Sequence, residues 1–195
     1  MRRRSFVTLI AVPVLLLVLA APVAAAPPMR ESGTQQSFFS VATSCSGSTC
    51  TDRVLEAFTL DSETLVVCLS SFTYNPRTGR LVSQESGCTE TSPGALTVTG
   101  DFTVTLADTA VTLATCNRRG CTESDTVTVS AQDSAVGPVF TETGRGTFSD
   151  GSCTSRYSFT SQSSQIAGTM TIDGVAYQQS GSASISQFTV STRCS

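Results

Sequence analysis

Apolar and polar residues alternate along much of this chain with a period of two. Between Thr97 and Leu106, the apolar Phe102, Val104 and Leu106 are separated by Thr103 and Thr105. Successive side chains of a strand point to opposite faces, so this pattern predicts a half-buried strand. Thr126–Ser130, Tyr157–Phe159 and Met170–Ile172 repeat it. Leu65 to Leu69 is apolar without alternation, as expected of a central strand covered on both faces. No stretch carries a sustained helical period.

Turn chemistry separates these segments. Asp150-Gly151 and Asp173-Gly174 are two-residue hairpin signals, Asn75–Gly79 reads as a longer turn, and Gly137-Pro138 reads as a loop. About ten to twelve short strands result, most with one apolar face and one face of Ser and Thr. The predicted fold is all-β: a single-domain antiparallel β-sandwich, with a barrel as the alternative.

The N-terminus departs from this pattern. Arg2, Arg3 and Arg4 precede an apolar run from Phe6 to about Ala21, and small residues follow from Pro22 to Ala26. Residues 1–26 therefore read as a secretory signal peptide, with cleavage expected after Ala25. The run is interrupted by Pro13 and is shorter than the roughly 20 residues that span a bilayer, so no membrane insertion is expected after cleavage. Residues 27–36 lack periodicity and read as a flexible mature N-terminus; 37–195 form the all-β domain.

A faint repeat matches Val41–Cys45 and Cys50 with Thr112–Cys116 and Cys121. A second matches Thr78–Arg80 and Cys88 with Thr143–Arg145 and Cys153. An internal duplication would place the halves near 37–107 and 108–195.

Eight cysteines follow the leader. An even count in an exported chain reads as a disulfide framework. Register selects among the connectivities. Pairing Cys153 with Cys194 sets Tyr157 opposite Val190 and Phe159 opposite Phe188. Pairing Cys68 with Cys88 sets Tyr74 opposite Val82, and pairing Cys45 with Cys50 sets Val41 opposite Val54. Cys116 with Cys121 completes the nearest-neighbour scheme, but sets Ala114 against Glu123 and Thr112 against Asp125, which calls for an exposed bridge or a bulge. Loop entropy suggests about 2 kcal/mol for each short ring, about 3 for 68–88 and about 4 for 153–194.

Composition narrows the chemistry. The chain has no His, no Trp and no Lys; all twelve basic residues are Arg. Nine arginines remain after the leader against fifteen acids, a net charge of −6 that argues against nucleic acid as a partner. Without His or Lys neither a Ser–His–Asp triad nor a Ser–Lys dyad can form, and bridged cysteines leave no thiol nucleophile. Carboxylate chemistry survives, with Glu56, Asp61, Glu63, Glu123 and Asp125 as candidates, though solvated acids beside turns explain them more simply. Asp61–Glu63, Glu123–Asp125 and Asp150–Ser152 offer oxygen ligands without completing a calcium loop. No metal or cofactor is expected.

The sharpest candidate for interaction is the braced loop Asn117-Arg118-Arg119-Gly120, which could present a basic residue to a serine protease. Ordinary turn composition with hydrated arginines is the plainer reading. In Phe38-Phe39, one ring is expected in the core and the other outside it. The reading that best fits is a secreted, extracellular, non-catalytic β-domain that binds an unknown protein or glycan or serves a structural role. The alternatives are a serine-protease inhibitor acting through Arg118 or Arg119 and a carboxylate-dependent hydrolase.

Overall fold

The computed structural model describes residues 28–60, 63–117 and 120–194. They form ten strands: β1 (Met29–Ser46), β2 (Thr49–Thr59), β3 (Leu65–Tyr74), β4 (Leu81–Thr91), β5 (Leu96–Val98), β6 (Val104–Asn117), β7 (Gly120–Ala135), β8 (Phe140–Ser149), β9 (Cys153–Ile172) and β10 (Val175–Cys194). The ladder runs β10-β1-β2-β3-β4-β6-β7-β9-β8, every pair is antiparallel, and β9 also pairs with β10. Because β9 pairs with both β7 and β10, the ladder returns to its first strand in a circuit around one core. At β4–β6 the ladder narrows, among the described residues, to one bridge, Ser86 with Ala114.

The core follows from alternation. Leu55 and Ala57 of β2, Leu65, Val67 and Leu69 of β3, Val104, Leu106 and Val111 of β6, Val129 of β7 and Met170 of β9 are all buried. Each such Val, Leu or Met contributes about 1.5–3 kcal/mol when removed from water. Phe38 joins them at 3% exposed, while Phe39 on the opposite face is 42% exposed.

Three bridges join facing residues: Cys45–Cys50 across β1–β2, Cys68–Cys88 across β3–β4, and Cys153–Cys194 across β9–β10. Cys121 is also bridged, and its register partner is Cys116. Val41 faces Val54, Tyr157 faces Val190, and Phe159 faces Phe188.

Three local expectations change. The alternation over 97–106 is not one strand but the β5–β6 hairpin, in which Leu96 faces Leu106 and Val98 faces Val104. The chain reverses between them because Phe102 NH donates to Thr99 O and Thr99 Oγ1 donates to the Asp101 carboxylate. Phe102 is fully buried with φ 59°, a left-handed conformation tolerated because its ring fills the core.

Residues 29–36 are not a loose tail: they form the first half of β1, paired with β10 from Thr192 to Ile185. Backbone pairing needs no apolar period where both faces meet water, so alternation carried no signal there. Tyr74 faces Leu81 and not Val82, because a bulge follows Thr73. Asn75 sets that turn: its Oδ1 accepts the NH of Arg77 at 2.9 Å and of Thr78 at 3.2 Å, and Gly79 takes φ +67°. Asn75→Ala is expected to cost about 1 kcal/mol. An unchanged urea midpoint would show that this turn does not depend on its side chain.

In β6–β7, Ala114 faces Glu123 but Thr112 faces Thr126. The bulge that the mismatch called for lies between them and spares Thr112 a contact with Asp125.

The two elements of the faint repeat fare differently. Both Cys-x4-Cys segments close a hairpin, β1–β2 and β6–β7. Thr78–Arg80 lies in a turn, whereas Thr143–Arg145 lies within β8.

Beyond the core, β8, β9, β10 and β1 run on as a four-stranded wing made of residues 140–149, 153–162, 185–194 and 29–36. Tyr157, Phe159 and Phe188 lie on one face of this wing. A Cβ on Gly33 would overlap the Phe188 ring, one on Gly144 the Phe159 ring and one on Gly146 the Tyr157 ring. Rings laid over facing glycines pin the register of a sheet that has no core to hold it.

Candidate functional site

The polar side chains that sequence reasoning missed are inside. Alternation along β7 places Val127, Val129, Ala131 and Asp133 on one face; β1 does the same for Phe38, Ser40 and Ala42, and β10 for Tyr177, Gln179 and Ala183. Ser40, Asp133 and Gln179 are all buried. Ser40 Oγ donates to Gln179 Oε1 at 2.6 Å, and Gln179 Nε2 donates to Asp133 Oδ2 at 2.7 Å.

Asp133 Oδ1 is buried without a hydrogen-bond partner. Burial pushes the Asp133 carboxyl up to about 6, and the hydrogen bond from Gln179 opposes part of that rise. The signal was available: each of these residues interrupts an apolar face at a period-two position. Ser40 donates to an amide oxygen, which is no base, so its hydroxyl is not activated as a nucleophile. The cluster ties β1, β10 and β7 together through side chains of fixed orientation.

At another position on the inward face, the Arg53 guanidinium lies 4.2 Å from the centroid of the Tyr177 ring and donates to Ser44 Oγ at 2.8 Å. Such stacking contributes about 0.5–1 kcal/mol where solvent reaches it.

The residues chosen from sequence do not converge. Asn117 pairs with Gly120 in the β6–β7 ladder; Arg118 and Arg119 lie outside the described residues. Glu56 is half-buried in β2, Glu123 and Asp125 are exposed in β7, Glu63 is exposed, and Asp61 lies outside the described residues. Asp150 Oδ1 accepts the NH of Cys153 in the β8–β9 turn. Among the described residues no group of three or more His, Cys, Asp or Glu could hold a metal ion. No helix among them is long and apolar enough to cross a membrane.

The depressions lie at the surface. One of about 590 Å³ opens on the wing and is lined by Arg30, Arg145 and Arg156 with Thr147, Ser158 and Ser191. Another, of about 410 Å³, lies over β6, β7 and β9 between Asp108, Gln132 and Thr171.

No protein-family model matches the chain, and no curated protein matches it. Among solved structures, a likeness is found to a protein of Nitrosomonas europaea provisionally named AttH. It has 11% identity and a TM-score of 0.23, covering 80% of this chain and 50% of that one. The chain spans half the length of that structure. What stands on the geometry is an all-β, disulfide-bridged domain without a catalytic cluster among the described residues.

Proposed function

We propose that this chain is a secreted, extracellular β-module without catalytic activity, which acts by binding through its surface. The observation that carries the reading is the division of its side chains. The interior is packed with apolar residues, the tied cluster of Ser40, Gln179 and Asp133, and the hydroxyls of Thr109 and Ser164 bonded to backbone carbonyls, while the exposed chemistry lies on strand faces. The bridged cysteines favour an oxidising compartment, in line with the leader of residues 1–26. The absence of His and Lys removes the usual bases and amine nucleophiles.

The test is expression of the full chain in an export-competent host, followed by intact-mass measurement of the product in the medium. The expected product begins at Ala26 and lacks eight thiol hydrogens. Retention in the cell with the leader attached, or free thiols on the exported protein, overturns the secreted reading. A hydrolytic activity abolished by substitution of a single carboxylate overturns the non-catalytic one.

A further inference from the structure

The wing carries its arginines on one face only. Register places Arg30 of β1 beside Ser191 of β10, Ser191 beside Arg156 of β9, and Arg156 beside Thr147 of β8. One pair of residues along, Ser32, Thr189, Ser158 and Arg145 form a second row on the same face. Arg193, facing Thr154, begins a third. Four exposed arginines therefore share one side of a four-stranded sheet, four of the nine that remain after the leader.

The acids of these strands, Glu31 and Glu142, alternate to the opposite side, where Glu31 faces Val190 and Glu142 faces Ser161. Asp150 is occupied in the β8–β9 turn by the NH of Cys153. Among the described residues no carboxylate is paired with any of the four guanidinium groups.

From this segregation we infer that the arginine face of the wing is a docking surface for an acidic polysaccharide, carboxylated or sulfated. The inference rests on the reading of the chain as a secreted binding module and names the partner of that module.

Four properties select this partner. First, the attraction is local: the chain as a whole is acidic, so a polyanion is drawn to this face and repelled elsewhere. Second, strands lie about 4.8 Å apart, which puts Arg30 and Arg156 about 10 Å from each other across β10. That is a spacing for repeated charges on a polymer, and an arginine fork takes a carboxylate or sulfate in two parallel hydrogen bonds. Third, the other positions of the first two rows are Ser and Thr, whose hydroxyls both donate to and accept from sugar hydroxyls. Fourth, Tyr157, Phe159, Phe188 and Phe148 all lie on the other face. The arginine face thus offers no platform for stacking bases and no apolar wedge for a bilayer. The Cys153–Cys194 bridge ties the end of the β9–β10 pair beneath it, so little order has to be gained on binding.

The test uses the exported, fully bridged protein with heparin as the sulfated probe and polygalacturonate as the carboxylated one. Dextran serves as the neutral control and a 20-nucleotide single strand of DNA as the competing polyanion. Titration at about 50 mM salt is expected to show binding to at least one acidic polysaccharide and none to dextran. Arg30→Ala/Arg156→Ala should weaken it tenfold or more and lower the salt dependence by about two counterions. Arg77→Ala/Arg80→Ala, which removes the same charge from the β3–β4 turn, should change affinity less than twofold. Should the first pair reduce folding, Arg30→Gln/Arg156→Gln is read in its place, with thermal unfolding as the check.

Absence of binding to both acidic probes, equal losses from the two arginine pairs, or tighter binding to DNA overturns the inference. Such a result leaves the module reading intact if the protein is exported and bridged. Free thiols or catalysis overturn that reading whether or not a polysaccharide binds.

Discussion

Gly87→Ala is expected to destabilise the protein by at least about 3 kcal/mol, with loss of β4–β6 pairing. Gly87 lies in β4 beside Ser86, whose pairing with Ala114 is the single bridge between β4 and β6 among the described residues. A Cβ at position 87 would overlap the carbonyl oxygen of Thr112 and come within 3.2 Å of the Leu113 Cα. These are backbone atoms, so no flexible side chain can turn aside; either the two strands part or the sheet shifts. The position has an internal control in Gly100, where a Cβ would meet nothing within 4 Å and the backbone is not left-handed. Urea unfolding of Gly87→Ala and Gly100→Ala should give a large loss for the first and a small change for the second. Equal, small changes would show that β4 and β6 can separate without cost.

Stability should fall by roughly 3 kcal/mol between about pH 4 and pH 6 through one residue, Asp133. An unfolded carboxyl of this type titrates near 3.9. In the folded protein burial raises Asp133 to about 6. Below about pH 4 the proton is bound in both states and the residue is neutral in both. As the pH rises from there to about 6, the unfolded chain releases its proton first, so ionisation favours unfolding. Above about 6 both states are ionised and the loss is complete.

Asp133→Asn removes the titration while keeping a side-chain oxygen that can accept from Gln179 Nε2. The difference in unfolding free energy between the two proteins should therefore change steadily from pH 4 to pH 6 and be flat above it. Parallel curves over that range would show that Asp133 ionises equally easily in both states.

These two sites illustrate what was legible in the residues. Asp133 occupies a period-two position among Val127, Val129 and Ala131, so its burial could be read by extending the β7 pattern beyond Ser130. Its orphaned oxygen could not be read, because whether a second donor reaches it depends on β9, β10 and β1, which lie far away in sequence. Gly87 was equally hidden: nothing in Ser86-Gly87-Cys88 shows that Thr112 will pass over it. The β5–β6 hairpin was misread because Gly100-Asp101 interrupts an otherwise unbroken alternation, and the side-chain bond from Thr99 that closes the turn leaves no periodic trace. The β1 part of the wing, residues 29–36, was invisible to alternation because neither face of it is core.

The sequence by itself determined that this chain is all-β, where several of its strands turn, and how β9 meets β10, since period-two alternation and turn residues are local and matching apolar faces fixes one hairpin's register. Only the tertiary structure decided that β1 takes β10 on the edge opposite its hairpin partner, that the circuit narrows at β4–β6, and that four distant arginines share one face. The physical reason is that alternation specifies the face on which each side chain lies, not which strand will lie alongside. That choice rests on packing between segments more than a hundred residues apart, as in the pairing of β1 with β10.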